Sequence, residues 1–164
     1  IWVEDRGPIF YSQKRIGKNK KVFKVYKFRT MIPDAEKITG AVWSTKDDPR
    51  ITKIGHLLRK TALDEIPQLL NIIKGEMSFV GPRAERPELH YEFVKTIPEF
   101  DERLNVTPGL SGLAQIRGSY DLDPSEKIKY DIEYIKKMSL LFDIRIIILS
   151  VFNSILARWD SPDN

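Results

Sequence analysis

The chain has 164 residues, no cysteine, and 27 Lys and Arg against 23 Asp and Glu, for a net charge of +4. That length supports one domain with a real core, and 41% apolar with 30% charged residues describes a folded chain, not a disordered one. The lack of Cys excludes a disulfide scaffold, a thiolate nucleophile and a Cys-bound zinc, and His56 and His90 are too scattered for a His-rich metal site.

This composition points to a cytosol-facing domain without soft-metal chemistry, but its charge is unevenly placed. Residues 1–30 hold nine Lys or Arg and only two acids, whereas 61–164 is mildly acidic. Such a block marks either a polyanion partner or a solvated Lys-rich hairpin. The chain opens Ile1-Trp2-Val3, with neither an initiator Met nor a signal peptide, and so reads as a fragment. No stretch reaches the roughly 18–20 apolar residues of a spanning helix. The nearest, 144–156, is interrupted by Arg145, Ser150, Asn153 and Ser154.

In chain order, 8–13 and 22–28 alternate apolar and polar residues around a turn signal at 16–20, which predicts a β-hairpin. Residues 33–49 lack periodicity beyond one short turn at 34–37 and read as a mobile loop. Ile54, Leu57, Leu58 and Thr61 predict a short amphipathic helix. The clearest pattern is 64–74, where Ile66, Leu69, Leu70 and Ile73 fall at i, i+3, i+4 and i+7 and predict one buried stripe. Pro67 suits its first turn and Gly75 a left-handed cap. Asp64, Gln68 and Asn71 share the opposite face, with Glu65 a quarter-turn away.

Beyond it come a short extended piece at 77–80, a turn at 81–83, helical stretches at 87–95 and 98–104, and a tight loop at 107–112 leading into 113–116. Two helices follow, 124–138 with Ile128, Ile132 and Ile135 inward, and 141–159. The expected fold is α+β and mostly helical, with an N-terminal β-hairpin and amphipathic helices, in a single domain over 1–164.

Three features carry possible chemistry. Asp64-Glu65 at a helix start is an ordinary first-turn pair. With Arg59-Lys60 before it and Gly81-Pro82-Arg83 after it, the pair also suits a carboxylate nucleophile for phosphorus, where cations and Mg²⁺ offset the charge. One acid would attack and the other would hold the metal. Lys27 and Arg29 flank Phe28 on one strand face, as a diphosphate clamp or as a basic outer face. The last helix is apolar over most of its girth through Ile144, Ile148, Val151, Phe152, Ile155 and Trp159, opposite Asp143, Ser150 and Ser154. It suits a domain core, or a membrane interface with Arg158 and Trp159 at headgroup depth. There is no Gly-rich loop of the Walker or dinucleotide type.

Five motifs occur in one order: Tyr26-Lys-Phe-Arg-Thr-Met31, Asp48-Pro-Arg-Ile-Thr52, Leu58-Arg-Lys-Thr-Ala-Leu-Asp-Glu-Ile-Pro-Gln68, Asn71-Ile-Ile-Lys-Gly-Glu-Met-Ser-Phe-Val-Gly-Pro-Arg83 and Pro108-Gly-Leu-Ser-Gly-Leu-Ala-Gln115. Over nearly the whole chain this closely resembles the bacterial sugar transferases, monotopic phosphoglycosyl transferases. The resemblance implies transfer of a sugar-1-phosphate from a nucleoside diphosphate sugar, expected to be a UDP-sugar, to polyprenyl phosphate such as undecaprenyl phosphate, at the start of polysaccharide or glycoconjugate assembly.

It further implies Asp64 as a nucleophile forming an aspartyl-phosphosugar, Glu65 as a Mg²⁺ ligand, and Lys27, Arg59 and Arg83 as phosphate-binding residues, with Arg29 a further candidate. A re-entrant helix would precede Ile1 and seat the enzyme monotopically on the cytoplasmic face of the bacterial inner membrane, which makes the amphipathic helices membrane-surface helices. Nucleic acid is not an expected partner, and oligomerisation is left open. The pattern departs at Ala84, where Pro is usual, and after Gln115, where Ile116-Arg-Gly-Ser119 stands for Asn-Gly-Arg and offers Arg117 as a replacement cation. The alternative reading is a non-catalytic module that binds anionic lipid through the basic hairpin.

Overall fold

The computed structural model describes residues 1–35, 48–118 and 122–156, the Val3 side chain excepted. Most of the 33–49 loop, Ser119, Tyr120, Arg158 and Trp159 lie outside the described residues.

A short helix α1 (Trp2–Asp5) precedes the antiparallel hairpin of β1 (Phe10–Ile16) and β2 (Val22–Phe28), registered from Phe10↔Phe28 to Ile16↔Val22. The predicted hairpin is present, with its first strand two residues later in starting and three later in ending. Helix α2 (Lys53–Lys60) is capped by the Thr52 hydroxyl, and its first turn also donates to Glu4, from Lys53 N at 2.8 Å. It crosses the end of β2 at backbone contact, because a Cβ on Gly55 would come within 2.1 Å of the Thr30 carbonyl oxygen.

Ala62, at φ 56°, turns the chain sharply into a 3-10 helix over Leu63–Gln68, which runs on into α3 (Leu69–Ile73). The single helix predicted for 64–74 is therefore a tight helix followed by an α-helical turn and a half. Its C-terminus closes as expected, with Gly75 at φ 72° and Glu76 N donating to Asn71 O at 2.9 Å.

A short strand β3 (Ser78–Val80) follows, then α4 (Pro87–Thr96) and a 3-10 helix over Pro98–Asn105. β4 (Gly109–Ser111) pairs with β3 in parallel, where the sequence predicts only a loop. Gly109 permits that contact, since a Cβ there would lie 2.1 Å from Gly81 N. Helices α5 (Leu113–Arg117), α6 (Pro124–Lys137) and α7 (Leu140–Ile155) complete the described chain, with Pro124 in the first turn of α6 as predicted. A core of Val80, Leu113, Tyr134 and Ile146 joins β3 to α5, α6 and α7.

The mostly helical α+β class stands, but the predicted burial of one face is inverted. In 63–73 the buried residues are Asp64, Pro67, Gln68 and Asn71, while Ile66, Leu69, Leu70 and Ile73 are exposed, Ile73 at 82%. In α7, whose apolar girth suited either a core or a membrane interface, Ile146 and Ser150 face inward, while Ile148, Val151, Phe152 and Ile155 are exposed. Asn71 and Asp143 turn inward onto partners. Asn71 Nδ2 donates to Lys24 O and to Glu76 Oε2, both at 2.7 Å, and its Oδ1 accepts from Tyr26 N at 3.3 Å. This side chain thus pairs with β2 as a neighbouring strand would. Asp143 accepts from the buried Tyr134 hydroxyl at 3.0 Å. No helix among the described residues is long and apolar enough to cross a membrane.

Candidate active site

Asn71 locks α3 to β2, and the preceding 3-10 turn therefore lies over the outgoing half of the hairpin. That places Asp64 and Glu65 beside Lys27. The Lys27 Nζ donates to Glu65 Oε1 at 2.5 Å and stands 3.9 Å from Asp64 Oδ2. From the other side Arg83, on the segment after β3, grips Glu65 with its guanidinium fork, Nη1 donating to Oε2 at 3.0 Å and Nη2 to Oε1. Arg83 keeps about a third of its side chain exposed (32%), so the cluster opens to solvent on that side.

The two acids are neighbours in different electrostatic states. Burial pushes the Glu65 carboxyl upward, but the charges of Arg83 and Lys27 and their hydrogen bonds overcome it, and the group is held far below the ordinary glutamate value. Burial also raises Asp64, and there it prevails over the opposing field of Lys27, with smaller opposing fields from Arg83 and Arg59. Lys27 is itself lowered by burial, against the pull of Glu65. Asp64 is thus a desolvated carboxyl within reach of a cation that does not grip it. Glu65 is a fixed anion that orients Lys27 and Arg83.

Of the residues proposed from sequence, Asp64, Glu65, Lys27 and Arg83 come together. Arg59, in the last turn of α2, contributes through its field and donates from Nε to Thr30 Oγ1 at 2.9 Å. Arg29 is committed elsewhere. Its guanidinium donates to both Asp5 oxygens, at 2.5 and 2.6 Å, and to the carbonyls of Pro8 and Met31, so it ties α1 to the hairpin. Arg117 pairs with Glu133 at 3.1 Å on the exposed side of α6.

Sequence reasoning also missed Gln68. This residue is buried at 3% exposure and shares a small cavity with Arg15, Lys27, Met77 and Arg83, and its Nε2 has no hydrogen-bond partner among the described residues. Its place on the Asp64 face was the available signal.

No group of three or more His, Cys, Asp or Glu that could hold a metal occurs among the described residues. The donor set therefore does not form an all-protein cage. Two adjacent carboxylates at an anion-binding site do suit Mg²⁺, which is commonly held by one or two carboxylates together with substrate phosphates.

A desolvated aspartate, a clamped glutamate and convergent cations have the chemistry to receive an anion next to a carboxylate. The sequence comparisons agree with that chemistry. The family model described as bacterial sugar transferase matches residues 1–157, and the chain belongs to that family. It is 43% identical over 159 residues to galactosyl transferase CpsE of Streptococcus agalactiae, covering 90% of this chain and 35% of that one. It is 40% identical over 158 residues to the UDP-glucose:undecaprenyl-phosphate glucose-1-phosphate transferase of Escherichia coli, covering 93% and 34%. With the exopolysaccharide production protein PSS of Rhizobium leguminosarum it shares 39% identity over 165 residues, covering 94% and 82%. The chain thus spans about a third of the length of the first two relatives and most of the third.

Proposed function

We infer that this protein transfers a sugar-1-phosphate from a nucleoside diphosphate sugar, with UDP-sugar the expected donor, to undecaprenyl phosphate, and so initiates polysaccharide or glycoconjugate synthesis. The observation that carries this reading is the desolvated Asp64 carboxyl beside Lys27 and the Arg83–Glu65 clamp. The names of the relatives support the substrate classes, the E. coli protein being a UDP-glucose:undecaprenyl-phosphate transferase.

In the proposed chemistry an Asp64 carboxylate oxygen attacks the sugar-bearing phosphorus. A P–O–C bond to Asp64 forms, and the bond from that phosphorus to the bridging oxygen breaks, with the electron pair leaving on the nucleoside monophosphate. An oxygen of undecaprenyl phosphate then attacks the same phosphorus and releases the Asp64 carboxylate, giving the polyprenyl diphosphate sugar. Lys27 and Arg83 bind the phosphoryl oxygens and stabilise the charge that builds there. Glu65 holds both cations in place. Asp64 and Glu65 are the side chains that would meet Mg²⁺ arriving with the diphosphate, and the ion would supply further charge neutralisation. Burial of Asp64 helps twice, since a poorly solvated carboxylate is the more reactive one and water is kept from the acyl phosphate.

The exposed apolar residues fit the same reading. Leu57 on α2, Ile66 on the 3-10 helix, Leu70 and Ile73 on α3, and Leu141, Ile148, Phe152 and Ile155 on α7 are each at least 46% exposed. We read these faces as resting on the membrane that holds the lipid acceptor. The hairpin alone is a poorer lipid-binding patch than its composition suggests, because Arg15, Lys27 and Arg29 are turned onto Glu85, Glu65 and Asp5.

The test is nucleoside monophosphate release in a membrane assay with saturating donor and acceptor. Asp64→Asn abolishes release on this account. Near-normal turnover in that variant overturns the assignment of the nucleophile.

A further inference from the structure

Next to the site, along the segment 83–85, lies a second set of charges. Arg103 (3% exposed) and Asp131 (1%) are buried, as is Glu85, and Lys127 and Arg15 are largely covered. Arg103 Nη2 donates to the backbone carbonyl of Arg83 at 2.8 Å and lies 2.8 Å from Asp131 Oδ2, while Nη1 is 3.7 Å from Glu85 Oε2. The guanidinium sits over the Phe100 ring, 4.5 Å from its centre. Lys127 donates to Glu85 Oε2 at 2.8 Å, Arg15 donates to the Ala84 carbonyl at 3.3 Å, and Ile16 N donates to the Glu85 carbonyl at 2.9 Å. Three consecutive carbonyls, of residues 83, 84 and 85, are thus each held by a donor from elsewhere in the fold.

We propose that Arg103 is a positioning residue, which fixes the backbone of Arg83 so that the Arg83 fork meets Glu65 and the donor phosphate in one geometry. Stability alone is a weak reason for so many buried charges, because apolar replacements of buried ion clusters are often neutral or stabilising. A planar fork is needed because three acceptors converge on it, and the compact ammonium of a lysine cannot span them. Displacing a phosphate-binding group by about 1 Å costs on the order of a hundredfold in rate. The inference rests on the reading of Arg83 as a phosphate-binding residue, although the placement of Arg83 can be observed without turnover.

The experiment uses the full chain with Arg103→Lys, Arg103→Gln and Arg103→Met, each with and without Arg83→Ala. Nitrogen-15 NMR of the Arg83 Nη–H groups reports whether its fork is held on Glu65. Nucleotide release reports kcat and KM, and thermal unfolding reports stability. The expected result is at least tenfold faster exchange of the Arg83 Nη–H groups in all three variants and a loss of kcat/KM of about a hundredfold. Arg103→Lys restores unfolding temperature more than rate, and no further loss of rate occurs once Arg83 is alanine. An unchanged Arg83 resonance, or equal losses of rate with and without Arg83, overturns the proposal. If Arg103→Met does not fold, the Lys and Gln variants carry the same readouts. Should the unaltered protein release no nucleotide from any donor, the functional reading fails, and the Arg83 resonance still decides the positioning role.

Discussion

The molecule holds two ion clusters joined by the short segment 83–85, and they are built on different plans. In the cluster of Glu85, Asp131, Arg15, Arg103 and Lys127 the charges close on one another and on backbone carbonyls. In the cluster of Asp64, Glu65, Lys27 and Arg83 one acid is gripped and the other is left 3.9 Å from its nearest cation, with Arg83 partly open to solvent. Charges that close on several neighbours give fixed geometry, whereas a desolvated and loosely paired carboxyl has capacity left for a substrate. The pKa directions divide within each cluster: cations hold Glu65 and Glu85 low, Glu85 at about 2, whereas burial raises Asp64 and Asp131.

The comparison can be broken at several points, and the largest effect is expected in the closed cluster. Asp131→Ala leaves the Arg103 charge buried without its acid and lowers stability by about 3–5 kcal/mol, measured by urea unfolding. A change within 0.5 kcal/mol would show that the cluster is not closed. Next, Lys27→Met reduces kcat/KM by about 10²–10³ with little effect on unfolding, because the ammonium it removes is itself disfavoured by burial. An equal loss in stability would make Lys27 part of the scaffold instead.

One acid of each cluster, Glu85 and Asp64, can be told apart by pH. Glu85 has a folded pKa below its unfolded one, so it contributes stability above the usual value of 4.5, and that contribution is lost as the pH falls toward about 2. Asp64 has the opposite sign. Its raised folded pKa means that the folded state binds the extra proton, so stability falls as the pH rises from the usual 3.8 through the folded value. Asp64→Asn is therefore expected to stabilise the protein at neutral pH and to lose that advantage in acid, as read by unfolding temperature against pH. For the same reason kcat/KM should rise on an acid limb above 3.8 and fall on an alkaline limb below 10.5, where Lys27 loses its proton. The smallest effect is expected at Ala62, whose φ of 56° is costly for any residue with a Cβ. Ala62→Gly should raise stability by up to about 1 kcal/mol, the relief being partly offset by chain entropy.

The sequence was most legible where period and chemistry agreed. The hairpin, the helix starting at Pro124 and the cap at Gly75 followed from alternation, 3.6-residue spacing and turn chemistry. Asp64, Glu65, Lys27 and Arg83 were legible because a phosphate site needs those residue types. Helical spacing does place Ile66, Leu70 and Ile73 on one face, but it does not say which face is buried, and here Asn71 decides by pairing inward with β2 and Glu76. The β3–β4 pair was hidden because strands of three residues carry no readable period. Arg29 looked equivalent to Lys27 by alternation, and only the fold shows Asp5 at its guanidinium. Arg103, Lys127 and Asp131 gave no local signal, since their partners lie far away in the chain.

The account depends most on Asp64 becoming covalently attached to the phosphosugar, and mass spectrometry tests this directly. The protein is incubated with nucleotide sugar in the absence of polyprenyl phosphate, quenched, and digested. The predicted result is one sugar-phosphate adduct, on the peptide that carries Asp64, which disappears on adding the acceptor and is absent from Asp64→Asn. An adduct on another residue, or steady turnover through a protein that never carries one, would contradict it.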